Sequence, residues 1–177
     1  YAWAPDDPTF DITGAITFEA WVNPTSITAG QWNFVLIKDG AYQFGIGTSG
    51  TWAYALTGSS AAAGISTGVA AKINEWHHIA FTRASGTNEV KFYYDGYLAY
   101  VGTADGATTG LISDSSSVLS IGRRTSDGRY FAGQIDQIAL FDSARDLNAI
   151  KSDMNTYLGT STSYLKAYYD FNEGTSN

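Results

Sequence analysis

Residues 74–99 read NEWHHIAFTRASGTNEVKFYYDGYLA, and this stretch decides the fold. Trp76 to Arg83 and Glu89 to Tyr94 alternate between bulky apolar and polar side chains with a period of two, the pattern of strands whose faces meet different surroundings. Asp95-Gly96 then links the second run to a third, Tyr97 to Val101. An Asp-Gly pair between alternating runs selects a type I′ turn, because both of its central positions need positive φ. The segment therefore reads as consecutive antiparallel strands.

The same grammar extends in both directions. Towards the N-terminus, Ala15 to Val22 sets Ile16, Phe18, Ala20 and Val22 against Thr17, Glu19 and Trp21, and is expected to stop at Asn23-Pro24. Asn33 to Lys38 is a short apolar run closed by Asp39-Gly40. Tyr42-Phe44-Ile46 and Trp52-Tyr54-Leu56 are two alternating runs joined across Gly47 to Gly50. Towards the C-terminus, Val118 to Ile121, Gln134 to Phe141 and Leu165 to Phe171 add three strands. Short strands with turn signals at this rhythm predict an all-β, antiparallel two-sheet sandwich. A single helix is expected after Ser143, with Asp146 three residues on as its capping partner. Leu147, Ile150, Met154 and Tyr157 form an apolar stripe that seals one end of the sandwich, and Gly159 is the stop. Gly58 to Gly68 and Gly102 to Ser117, rich in Gly, Ala, Ser and Thr, read as loops within the domain.

The 177 residues, 44% hydrophobic and 15% aromatic, suffice for one cored domain over 1–177. Ten basic against 17 acidic residues leave a net charge of −7. That balance argues against nucleic acid, whose affinity comes from Lys and Arg on phosphates, and against anionic membrane surfaces. No apolar run approaches the ~20 residues that span a bilayer. The absence of Cys excludes disulfides, thiolate metal sites and thiol nucleophiles. The start at Tyr1, without an initiator Met or a signal-peptide pattern, leads to the expectation that this is a piece of a longer chain.

ITFEAWVNP (16–24) resembles the opening strand of laminin-G-like, concanavalin A-like jelly rolls. NEWHHIAFTR (74–83) and VKFYYDGYLA (90–99) resemble the same family's "WHHVA" strand and "LYVDG" hairpin. LSIGRR (119–124) and YFAGQIDQIALFDSARDLNAI (130–150) resemble its closing strands. The segments stand in family order. The resemblance implies a concanavalin A-like jelly roll, a lectin-like recognition role and an extracellular, cell-surface or virion-surface setting. AYYDFNEG (167–174) departs from the pattern, since it resembles a strand often found at the start of such domains.

The related glycosidases place carboxylates as Glu-x-Asp followed by Glu on one strand face, because retaining hydrolysis needs two carboxyls close together. Here the comparable run is Gln134-Ile135-Asp136-Gln137-Ile138-Ala139, with both flanking acids replaced. His77 and His78, the two histidines, are adjacent on a strand and point to opposite faces. No phosphate loop, GxSxG or HExxH is present. The domain is therefore expected not to be an enzyme.

Binding residues remain. Alternation puts Asp136 on the face of Ile138 and Leu140, where a carboxylate needs hydrogen bonds, a cation or a metal. Calcium, which takes six to eight oxygens and which the resemblance favours, is one option for cofactor, with Asp136 and Asp11 as ligands and Asp6 and Asp7 as further partners; it stands level with a carboxylate bonded to neighbouring backbone N–H groups or an Arg. Trp32, Trp52 and Tyr54 are aromatic candidates, Trp52 among the ligand-binding set, against the reading that Trp52 and Tyr54, alternating with Leu56, fill the core. Arg123, Arg124, Arg129 and Tyr130 surround the turn Thr125-Ser126-Asp127-Gly128. A guanidinium fork there suits a carboxylated or sulfated sugar, with Arg124, Arg129 and Tyr130 as contacts. The opposing reading is a passive ion-pair patch in which Asp127 neutralises one Arg and Asp142 or Asp146 another. Two roles follow. One is a non-catalytic module binding glycan or a surface protein, assisted by calcium. The other is a structural or decoration domain of a virion, fibre or surface assembly, with self-association.

Overall fold

The computed structural model describes residues 1–56, 64–87, 89–103, 112–159 and 161–172. In chain order the strands are β1 (Ala2–Ala4), β2 (Ile16–Ser26), β3 (Asn33–Lys38), β4 (Tyr42–Ile46), β5 (Thr51–Leu56), β6 (Ile65–Ala70), β7 (His77–Arg83), β8 (Glu89–Tyr94), β9 (Tyr97–Thr103), β10 (Leu119–Ile121), β11 (Ala132–Phe141) and β12 (Leu165–Tyr169). A 3-10 turn spans Pro8–Phe10, and one helix, α1, spans Leu147–Asp153. Two six-stranded antiparallel sheets result, ordered β1-β10-β3-β4-β5-β6 and β12-β11-β2-β7-β8-β9. This is the jelly-roll sandwich expected from the alternation. The stretches 58–63 and 104–111 of the two expected loops lie outside the described residues, as do 173–174 of the terminal strand motif.

The core follows from period two. Phe18, Ala20 and Val22 of β2, Ile79 and Phe81 of β7, and Phe92 of β8 face Phe44, Ile46, Trp52 and Tyr54 of the other sheet. The Phe18 and Phe44 rings stack across the interface at 5.0 Å, with Phe81 5.2 Å from Phe44. The Asp95-Gly96 hairpin has φ of 50° and 73° at its two positions, as a type I′ turn requires.

Four expectations are corrected. Strand β2 runs through Pro24 to Ser26, because β2 itself bulges at Thr25 opposite the Ala132–Gly133 step of β11, and a proline is tolerated at a bulge. Strands β1 and β6 went unread. Helix α1 is capped by Asp146, whose side chain accepts from Ala149 N at 2.8 Å, while the Ser143 carbonyl accepts from Thr17 Oγ1. It also ends at Asp153, ahead of the Gly159 stop. The helix covers the outer face of the second sheet, with Ile150 packed on Ala80 and Tyr93, rather than sealing an end.

The fourth correction concerns Asp136. Ile135 pairs with Val22 and Asp136 with Trp21, but Ala139 pairs with Glu19, so two residues of β11 oppose one of β2. Gln137 occupies the bulge at φ 48°. The extra residue reverses the alternation: Ile135, Ile138 and Leu140 turn inward, and Asp136 shares the outer face with Trp21. Its carboxylate accepts from Gln137 N at 2.8 Å.

Candidate functional site

The turn between β10 and β11 folds back over the outer face of the first sheet. Arg124 N donates to Arg129 O at 2.7 Å and Gly128 N to Arg124 O at 3.1 Å, with Gly128 at φ 73°. Arg129 N also donates to Asp127 Oδ1. These bonds close the turn and aim the Arg124 side chain along β3. Its Nε donates to Asp39 Oδ2 at 3.0 Å and its Nη2 to Asp39 Oδ1 at 2.9 Å, a bidentate pair. Nη1 reaches Asp127 Oδ2 at 3.4 Å, and Arg129 Nε meets the same oxygen at 3.0 Å. Ser126 Oγ donates to Asp39 Oδ2 at 3.3 Å.

Beneath this ion-pair chain lies a groove of about 290 Å³. Its lining includes Ile37, Asp39, Ser117, Ser120, Arg124 and Ser126. The floor comes from two paired strands, with Ser120 of β10 directly opposite Ile37 of β3. Ser120 is 2% exposed, and its hydroxyl has no hydrogen-bond partner among the described residues. One strand further out, Trp3 of β1 pairs with Ser120 and therefore shares its face. Trp3 is 59% exposed. A second apolar cluster, Trp32, Phe34, Ile37 and Ala53, continues the same face, with Trp32 stacked on Phe34 at 5.3 Å.

Arg124 thus stands in the groove as expected, though its fork is held by Asp39, a partner the sequence reading took only for a turn residue. Arg129 sits behind it through Asp127. Tyr130 is exposed but is not part of the groove lining. Asp127 neutralises an arginine as the opposing reading expected, but the second acid is Asp39: Asp142 pairs with Lys166 at 2.8 Å, and Asp146 caps α1. Trp52 is corrected outright. It is 0% exposed, because alternation along β5 turns it inward beside Phe92, and it presents nothing to a ligand. Trp32 is likewise buried.

The acidic candidates are placed differently. Asp6 Oδ1 and Asp11 Oδ1 lie 2.6 and 3.2 Å from the Lys38 ammonium, which is fully buried and also donates to Ser117 O at 3.0 Å. Asp7 accepts from Thr9 N, and hydrogen bonding from the Thr9 side chain and then its backbone lowers the Asp7 pKa from the ordinary value. Among the described residues, no three His, Asp or Glu side chains gather as a metal site. The two histidines do point to opposite faces. His77 bonds Asp95 at 2.9 Å, whereas His78 faces Glu19 at 3.4 Å under α1. Burial pushes the Glu19 carboxyl above its ordinary range, with His78 opposing. Beside that pair, Arg145 grips Asp153 with contacts of 2.6 to 2.8 Å.

Comparison with known proteins follows from this geometry. A family model described as the concanavalin A-like lectin/glucanases superfamily matches residues 1–151. No curated protein matches the sequence. Among solved structures, a Bacteroides ovatus protein described as carbohydrate binding superposes with a TM-score of 0.80 at 18% identity, over 99% of this chain and 50% of its own. The chain thus spans half the length of that protein. Domain 4 of an extracellular arabinanase from Geobacillus stearothermophilus, solved with arabinotriose, gives 0.64 at 20% identity, covering 85% of this chain and 70% of its own. A botulinum neurotoxin type C structure, from a study of its interaction with two ganglioside molecules, gives 0.53 at 16%, over 81% and 36%. At these identities the likeness is one of fold.

Proposed function

The chain belongs to the concanavalin A-like lectin/glucanases superfamily, and from that premise we propose that it is a non-catalytic module that binds glycan on the outer face of the first sheet. The observation that carries this is the groove itself. It combines a desolvated, unpartnered Ser120 hydroxyl, further serine hydroxyls and an Arg–Asp pair, with an exposed tryptophan on the neighbouring strand. Sugars present hydroxyl edges and apolar C–H faces, and this surface offers planar polar groups beside an aromatic ring. Two proteins of similar fold, one solved with arabinotriose and one tied to gangliosides, support the same reading.

The groove lacks the arrangement that hydrolysis needs. Among the described residues its lining carboxylate is Asp39, with Asp127 on the turn above; both accept from guanidinium groups, and neither faces an unpaired acid. Glu19 is sealed beneath α1 on the opposite sheet. A glycan array probed with the purified domain tests the proposal. Selective, saturable binding is expected, and it should survive EDTA, since Asp6 and Asp11 direct their charge to Lys38. Silence across the array would refute it.

One observation favours the assembly role as a second reading. Strand β9 is the edge of the second sheet and exposes Tyr97, Leu98 and Val101. Analytical ultracentrifugation separates the readings, since an assembly domain would self-associate with no glycan present.

A further inference from the structure

We propose that the groove selects a neutral glycan through a vicinal diol, with a ring of that glycan stacked on Trp3. This rests on the glycan-binding reading and goes beyond it by naming the ligand class and its contacts.

The charge count comes first. Arg124 and Arg129 contribute two positive charges, and Asp39 and Asp127 two negative ones, all within one chain of contacts. Within that ion-pair chain the charges balance, and the third arginine of the turn, Arg123, lies outside it with its guanidinium over the Tyr1 ring at 4.8 Å, in a protein of net charge −7. A sulfate or carboxylate would approach two carboxylates as well as two guanidinium groups. It would have to displace Asp39 from a bidentate pair to gain the fork.

The donor and acceptor count then says what does fit. A guanidinium has five N–H donors. Asp39 takes two of Arg124's and Asp127 takes one, which leaves two, both on terminal nitrogens. A carboxylate offers about four lone-pair sites. Asp39 uses three of them, two on Arg124 and one on Ser126 Oγ. The open partners along this edge are therefore N–H donors beside a carboxylate acceptor. Adjacent sugar hydroxyls match that pair, because one accepts from Arg124 while the other donates to Asp39. A sulfate cannot donate and leaves the Asp39 site unfilled. The Ser120 hydroxyl, buried in the floor with no partner among the described residues, supplies a third polar contact.

Trp3 completes the surface. Neighbouring strands lie ~4.8 Å apart, so the indole stands about one sugar width from Ser120 on the same face. It is a large, half-free aromatic on an edge strand with no core role to explain its exposure.

An array of neutral oligosaccharides, including arabinotriose and cellotriose, against acidic ones, including heparin fragments and sialyllactose, tests the proposal at low and high salt. Neutral glycans should bind with little salt dependence, and Trp3→Ala, checked for fold by circular dichroism, should weaken that binding about tenfold. Binding confined to acidic glycans and lost in salt would overturn the ligand class while leaving glycan recognition standing. Unchanged affinity in the folded Trp3→Ala variant would overturn the stacking contact. Absence of any glycan binding would overturn the underlying reading and the proposal with it.

Discussion

Replacing Trp52 by Ala separates a ligand-facing tryptophan from a core one. Trp52 is fully buried, its ring 6.4 Å from Phe92 in the principal core. A tryptophan side chain buries on the order of 200 Å² or more, which at ~25 cal/mol per Å² corresponds to about 5 kcal/mol. Large-to-small core substitutions of this kind cost roughly 3–5 kcal/mol once partial collapse of the cavity is allowed. With a urea m-value of ~2 kcal/mol/M, the midpoint should fall by about 1.5–2.5 M. The assay is urea unfolding followed by far-ultraviolet circular dichroism. A parallel binding titration of the folded fraction should show an affinity close to wild type. A loss under ~1 kcal/mol, or abolished binding in a protein of native stability, would return Trp52 to the ligand surface and refute the assignment of faces along β5.

Two more predictions test the second sheet. Burial raises the folded-state pKa of Glu19 above its unfolded value, so its contribution to stability is complete below the unfolded pKa and is lost as pH rises through the folded one. Glu19→Gln should therefore melt higher than wild type at neutral pH, with the difference vanishing in acid; a difference that does not change with pH would contradict the buried carboxyl. Asp136→Ala removes one acceptor, for Gln137 N, on a partly exposed bulge. It should cost about 1 kcal/mol or less, with or without EDTA. A melting temperature that falls steeply in both treatments would restore a buried network at this residue.

The alternation of Tyr42 to Ile46 and Glu89 to Tyr94, and the apolar run Asn33 to Lys38 closed by Asp39-Gly40, named three strands to the residue. Strand β6 escaped. Ile65 to Ala70 is an edge strand of mostly small and polar residues, with Gly68 at φ 73°, and it has no bulky periodicity to detect. Strand β1 is three residues long, too short for a period. The bulge at Gln137 shows a further limit. A residue at positive φ reverses every later side chain, yet Gln carries no compositional mark of such a conformation, so Asp136 was placed on the wrong face. The site was half legible. A cluster of Arg around a Ser-Asp-Gly turn is visible in sequence, but its controlling partner, Asp39, lies 85 residues away and was brought there by the β3–β10 pairing. Trp3 became meaningful only through the same sheet, as the cross-strand neighbour of Ser120.

The central claim, that glycan binds over the groove on the outer face of the first sheet, is tested most directly by amide chemical-shift mapping. A ¹⁵N-labelled domain would be titrated with a neutral oligosaccharide selected on the array. The account predicts shifts concentrated at Trp3, Ile37 to Asp39 and Ser116 to Ser126, with the α1 face of the second sheet silent. Shifts centred on β7, β8 and α1 instead, with Arg124 and Ser120 unmoved, would contradict it.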